Sequence, residues 1–113
     1  MEICFSPEFK HNLRQLAKRY RSIRTDVETL TEQLFKGETP GDQISGTGYT
    51  LHKVRLKNSD NNKGKSGGYR VVYYLQTADD IALVTIYSKS DQSDVSSEEL
   101  KGFLSDYENA SDN

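Results

Sequence analysis

At 113 residues the chain suffices for one domain with a modest core, and 34% hydrophobic against 28% charged residues keeps that core small and the surface wet. No apolar run approaches the ~18 residues that a membrane span needs, and a single cysteine, Cys4, excludes an intramolecular disulfide, which fits a reducing cytoplasm. The net charge of −2 hides a strong segregation: residues 10–24 carry six cations and no acid, residues 53–70 carry six cations against Asp60 alone, and residues 91–113 carry seven acids against Lys101. A polyanion responds to local potential, so nucleic acid stays among the expected ligands, while indiscriminate binding does not. Cys4, His11 and His52 lack metal-ligand spacing, so neither a metal nor a cofactor is expected. The N-terminus MEICFSPEFK has no cationic stretch followed by an apolar one, so no signal peptide is expected.

Residues 1–5 alternate as a short strand, with Ile3 and Phe5 on one face. Ser6-Pro7-Glu8 then opens a helix, because serine accepts a free first-turn N–H and proline suits the first helical position. Phe9, Leu13, Leu16, Ala17 and Tyr20 form one apolar stripe, which predicts a helix ending near Tyr20 to Ile23. Thr25 with Glu28 matches a capping box for a second helix striped by Val27, Leu30 and Leu34 and stopped at Gly37. Two helices with a short link predict a hairpin covering one sheet face. Residues 37–48 read as loop.

Tyr49 to Lys57 reads as a strand of imperfect alternation, because Tyr49 and Leu51 are odd while Val54 and Leu56 are even; a bulge near His52 would reconcile them. A loop over 58–68 follows, with Gly67-Gly68 supplying unusual backbone angles at the hairpin exit. Tyr69 to Gln76 is apolar on both faces after Arg70 and is expected at the centre of the sheet. Ile81 to Tyr87 is another apolar strand, Ser96 with Glu99 offers a capping box, and Leu100, Phe103, Leu104 and Tyr107 mark a short C-terminal helix. The expected fold is α+β, a single domain over 1–113 in the order β-α-α-β-β-β-α, with the last three strands antiparallel. The acidic end from about residue 108 to 113 reads as frayed.

The chemistry concentrates in Lys53 to Tyr74. Alternate strand residues share a face, so Lys53, Arg55 and Lys57 project together at about 6.5–7 Å, close to the spacing of successive phosphates. Arg70 on the paired strand can join them, and arginine grips phosphate bidentately where lysine cannot. Packed cations also push protons off one another, which makes Lys53 or Lys57 a candidate proton acceptor. Lys63 and Lys65 in the loop are candidate RNA contacts. Gly64-Lys65-Ser66 is not a phosphate loop, because the required first glycine is Ser59 and a strand follows where a helix is needed. By parity His52 points away from Lys53, and His11 lies off the apolar stripe. Cys4 reads as a small core residue. The acidic C-terminal segment 94–113 is a candidate internal mask for the basic groove.

Leu51-His52-Lys53-Val54-Arg55-Leu56, the run Gly64 to Tyr74 (GKSGGYRVVYY) and Ile86 to Asp91 (IYSKSD), with Phe5-Ser6-Pro7-Glu8-Phe9 at the first helix, resemble the RelE/ParE superfamily of toxins from type II toxin–antitoxin pairs, most closely its RelE and HigB branch. The resemblance covers roughly residues 3–104. It implies a RelE-like sheet carrying the helix hairpin on one face, and a cytoplasmic, metal-independent endoribonuclease that cuts ribosome-bound mRNA. It also implies a cognate antitoxin as partner, with no membrane and no small-molecule cofactor. It assigns catalysis to Lys53, Arg55, Arg70 and Lys89, with Tyr87 as the phenol, and RNA binding to Lys57, Lys63 and Lys65. Ser90 and Ser96 stand where RelE has a basic residue and a tyrosine. A ParE-like inhibitor of DNA gyrase and an inactive RNA-binding module are the alternatives.

Overall fold

In the computed structural model, which describes residues 1–61, 64, 67–92 and 94–111, the order is β1 (Glu2–Phe5), α1 (Pro7–Ala17), α2 (Ile23–Phe35), β2 (Asp42–Ile44), β3 (Leu51–Leu56), β4 (Tyr69–Leu75), β5 (Asp80–Ser88) and α3 (Ser97–Ser111). The strands form one sheet in the order β1-β5-β4-β3-β2, with β1 parallel to β5 and every other pair antiparallel. The α+β order expected from the sequence is present, and β4 is the central strand. One strand is additional: β2 lies within the stretch that composition marks as loop. Gly41 makes it possible, because its φ is +94° and an added Cβ would lie 2.3 Å from the Lys53 carbonyl oxygen. Among the described residues no helix is long and apolar enough to cross a membrane.

The helix ends follow local chemistry only in part. Ser6 caps α1 as expected, accepting the Phe9 N–H at 3.0 Å, and its hydroxyl donates to the Val84 carbonyl. With the Asn12 amide on the Ile86 carbonyl at 3.1 Å, α1 thereby occupies the half of β5 that β1 does not pair. The helix stops at Ala17, earlier than its apolar stripe predicts. The second helix starts at Ile23, so Thr25 lies inside it and the Thr25–Glu28 capping box is not the N-terminus. The residue just ahead of it finds a distant partner instead: Asp60 accepts from the Ser22 N–H at 2.9 Å and from the Ser22 hydroxyl at 3.2 Å, which sets a carboxylate at the helix start. The Ser96–Glu99 box does form, with Ser96 accepting the Glu99 N–H at 3.1 Å. α3 is the longest described helix, not a short one, and it runs through 108–111, while residues 112 and 113 of the expected frayed tail lie outside the described residues. Tyr107, buried and donating to Gln76, and Glu108, accepting from the Tyr49 hydroxyl, hold that end.

Both sheet faces are covered, which resolves the mixed parity of β3. Val54 and Leu56 join Phe9, Ile23, Leu30, Leu34, Val71, Tyr73 and Ile86 beneath the helix pair, whereas Leu51 packs with Val72, Val84, Leu100 and Leu104 beneath α3. The strand needs no bulge near His52, and its register from Leu51↔Tyr74 to Leu56↔Tyr69 is unbroken. The irregularity lies between β4 and β5: Val72 faces Thr85 while Tyr73 faces Leu83, so Val84 is the extra residue. It inverts the parity of β5. Ile81 and Leu83 face the helix pair, yet Tyr87, an odd-numbered residue like them, comes opposite Arg70 on the other face.

Glycines at the hairpin act differently from expectation. Gly68 has no positive φ; it is needed because an added Cβ would meet the Leu56 carbonyl oxygen at 2.0 Å. The positive φ in this loop belongs to Gly64. Cys4 is half-buried rather than in the core, and burial followed by its contact with Glu2 raises its pKa.

Candidate active site

The register of the three central strands builds the site. Arg55 on β3 faces Arg70 on β4, and Arg70 faces Tyr87 on β5. The resulting row runs across the sheet on the face that α3 covers only at its apolar end. Lys53, two residues before Arg55, extends the row along β3, and Lys89 follows directly after β5. Together these five residues line an open cleft of about 580 Å³, which Pro40, Gly41, Asp42 and Asp94 also line. Lys53, Arg55, Arg70, Tyr87 and Lys89 are therefore brought together by the fold. The Lys89 N–H donates to the Gly68 carbonyl at 2.9 Å, tying the end of β5 to the start of β4.

Lys57 does not line this cleft. It lies beyond β3 and lines a neighbouring groove with Asp26, Thr29, Gln33 and Ser59, and Arg55 borders both. Lys63 and Lys65 lie outside the described residues. Ser90 and Ser96 are not among the lining residues: Ser90 pairs with the Ser88 hydroxyl at 2.9 Å, and Ser96 caps α3. His52 points away from the basic row as parity predicts and stacks on Tyr73 at 5.4 Å. His11 is exposed.

The electrostatics of the row are lopsided. Arg70 is only 7% exposed, and its pKa is lowered, first by burial and then by the facing Arg55. Two guanidiniums held side by side across a strand pair repel each other, and an anion between them relieves that repulsion. Tyr87 is buried, and its phenol is pushed up to about 12, mainly by burial and then by the Asp94 carboxylate. It is a hydrogen-bond donor at neutral pH and not a base.

Asp94 was not singled out in the sequence, where it is one acid among seven in an acidic tail. Its Oδ1 accepts from Lys53 Nζ at 3.0 Å, the Tyr87 hydroxyl at 3.2 Å and the Val95 N–H at 2.8 Å. Those contacts hold its carboxyl below the usual range, the Val95 N–H first and Lys53 next. Among the described residues two acids line the basic cleft, Asp42 and Asp94, and it is Asp94, in the linker ahead of α3, that bonds Lys53 and Tyr87. The helix itself docks on the apolar half of the same face. No local pattern distinguishes Asp94 from Asp91 or Glu98; only the fold brings it to Lys53.

A family model described as the RelE toxin of the RelE/RelB toxin–antitoxin system matches residues 12–110, from the middle of α1 almost to the end of α3. The match contains every residue that lines the cleft. The chain belongs to the RelE toxin family and is the toxin of a toxin–antitoxin pair, with a cognate antitoxin as its partner.

Proposed function

We propose that this toxin is a metal-independent endoribonuclease that cuts mRNA on the ribosome and so inhibits translation. The observation that carries the reading is the row Arg55–Arg70–Tyr87 across three strands, flanked by Lys53 and Lys89 in one open cleft. RNA cleavage without an external nucleophile needs little more than this. The ribose 2′-OH loses its proton to solvent and attacks the adjacent phosphorus, the P–O5′ bond breaks, the departing O5′ takes up a proton from solvent, and the products are a 2′,3′-cyclic phosphate and a 5′-hydroxyl. Charge builds on the non-bridging oxygens as the phosphorane forms, and preorganised cations stabilise that charge more than they stabilise the ground state.

In this reading Arg55 and Arg70 hold the non-bridging oxygens of the scissile phosphate. The repulsion between them is relieved when the anion enters, so the pair binds most strongly where negative charge is greatest. Lys53 and Lys89 seat the flanking phosphates. Tyr87 stays protonated and donates a hydrogen bond, either to a phosphate oxygen or to the departing 5′-oxygen. Lys57 serves as an outlying contact along the backbone, and Lys63 and Lys65 as contacts from the loop.

Induced expression of the wild type and of Arg70→Ala in bacteria, followed by mapping of mRNA 5′ ends, tests this function. Growth arrest with new 5′ ends in translated frames for the wild type, and neither for Arg70→Ala, is expected. Growth arrest with a DNA-damage response and intact mRNA would overturn it in favour of gyrase inhibition.

A further inference from the structure

Among the described residues, Asp42 and Asp94 are the two acids that line the cleft, and Asp94 bonds two of the cleft's side chains, Lys53 and Tyr87. Its Oδ1 gathers three donors, two of them cleft side chains, in the way a phosphate oxygen does. A catalytic base at this position is disfavoured, because a carboxylate stabilised by three donors gives up its charge reluctantly. A purely structural ion pair is also a poor account. Asp94 is 61% exposed, and ion pairs at such exposure contribute little to stability. The linker is meanwhile fixed on both sides without it. Asp91 pairs with Arg19 at 2.7 Å and its N–H donates to the Ser88 carbonyl, and Ser96 begins the capping box of α3.

We propose that the Asp94 carboxylate is a built-in phosphate surrogate, which occupies the Lys53–Tyr87 subsite of the empty cleft and must be displaced by an RNA phosphate. The proposal rests on the reading of the cleft as an RNA site. It divides the cleft into the Arg55–Arg70 pair and a Lys53–Tyr87 position that Asp94 already neutralises. Because the surrogate is an exposed and weak partner, rotation of the Asp94 side chain vacates the position while the anchored backbone stays in place. The consequence is selectivity by multivalency. A single phosphate competes poorly for Lys53, whereas a strand that also engages Arg55, Arg70 and Lys89 brings its next phosphate to Lys53 at high local concentration.

The test is binding of a short single-stranded RNA made uncleavable by 2′-O-methyl groups, followed by fluorescence anisotropy across a salt series. It uses full-length wild type, Asp94→Asn, Lys53→Ala and the double variant. Asp94→Asn is expected to bind about three- to five-fold more tightly at low salt. Its plot of log K against log salt should steepen by about 0.7, the increment for one more neutralised phosphate on a single strand. The gain should vanish in the Lys53→Ala background, since Lys53 is the group released. Unchanged or weaker binding by Asp94→Asn, or a gain that survives Lys53→Ala, overturns the surrogate while leaving the RNA reading intact if wild-type binding still depends on Arg70. Absence of binding by wild type and Asp94→Asn alike overturns both. Circular dichroism of each variant confirms that the fold is retained.

Discussion

Arg55 lies directly opposite Arg70 in the pairing of β3 with β4, and of the two only Arg70 is buried. Opposed like charges repel across a strand pair, and an anion entering between them relieves that repulsion. Arg55→Gln should raise the thermal midpoint by a degree or two, about 0.5 kcal/mol at most given the exposure of Arg55. The same change should lower RNA cleavage at least ~10-fold. A thermal melt alongside a cleavage assay checks both; loss of stability would show that the two guanidiniums are not in net repulsion.

Arg70 should not be replaceable by lysine. A lysine keeps the charge but cannot present two parallel N–H donors to one phosphate. Arg70→Ala is expected to reduce cleavage by ~100-fold or more, and Arg70→Lys to recover only a small part of that. Single-turnover rates on a defined RNA would decide it, and near-wild-type rates for Arg70→Lys would remove the bidentate role.

Two glycines separate backbone strain from close approach. Gly46 has a φ of +82° with nothing within 4 Å of an added Cβ, so Gly46→Ala should cost about 1–2 kcal/mol for the left-handed backbone alone. Gly68 lacks the positive φ but would drive a Cβ to 2.0 Å from the Leu56 carbonyl oxygen. Gly68→Ala must push β3 and β4 apart where Arg55 and Arg70 pair, and it should cost more than ~2 kcal/mol. Urea unfolding of the two variants should preserve this order.

Alkaline pH should weaken the fold through two buried phenols. Tyr73, whose hydroxyl donates to the Pro40 carbonyl, and Tyr87 are both pushed up to about 12, chiefly by burial. Their folded values lie above the unfolded value of about 10. Their contribution is therefore complete below pH 10 and is lost as pH rises through about 12. Tyr73→Phe and Tyr87→Phe should each flatten the fall in stability over that window, and each should remove one late-titrating phenol from the absorbance at 295 nm. An unchanged titration curve would contradict the burial of these hydroxyls.

The extra residue at Val84 makes a prediction about the site itself. Deleting Val84 removes the bulge and places Thr85 directly after Leu83, so the alternation of β5 becomes regular and Tyr87 should stay opposite Arg70. Cleavage should then stay near the wild-type level in protein that folds, although the loss of Val84 from beneath α3 lowers stability. If the deletion variant folds, as judged by its circular dichroism, yet cuts RNA no better than Tyr87→Phe, Val84 is not the extra residue that sets the register.

The sequence by itself determined what depends on neighbours along the chain. The Ser6 and Ser96 caps, the apolar stripes of the first two helices, the alternating cations of β3 and the two-faced apolar run of β4 are set within a few residues. They delivered the α+β order and the residues Lys53, Arg55 and Arg70. Tertiary structure decided what depends on segments far apart. Asp60, rather than Thr25, serves the start of α2. The β2 strand forms because Gly41 admits the chain against β3. In β5 nearly every residue is apolar, so a bulge leaves no mark on its pattern, yet the bulge at Val84 is what brings Tyr87 to Arg70. Asp94 enters the basic cleft because α3 docks on Leu51, Val72 and Val84, and the short linker before that helix must pass over Lys53. Strand register and helix docking are settled by packing on two faces at once, and a one-dimensional pattern carries information about only one partner of each such contact.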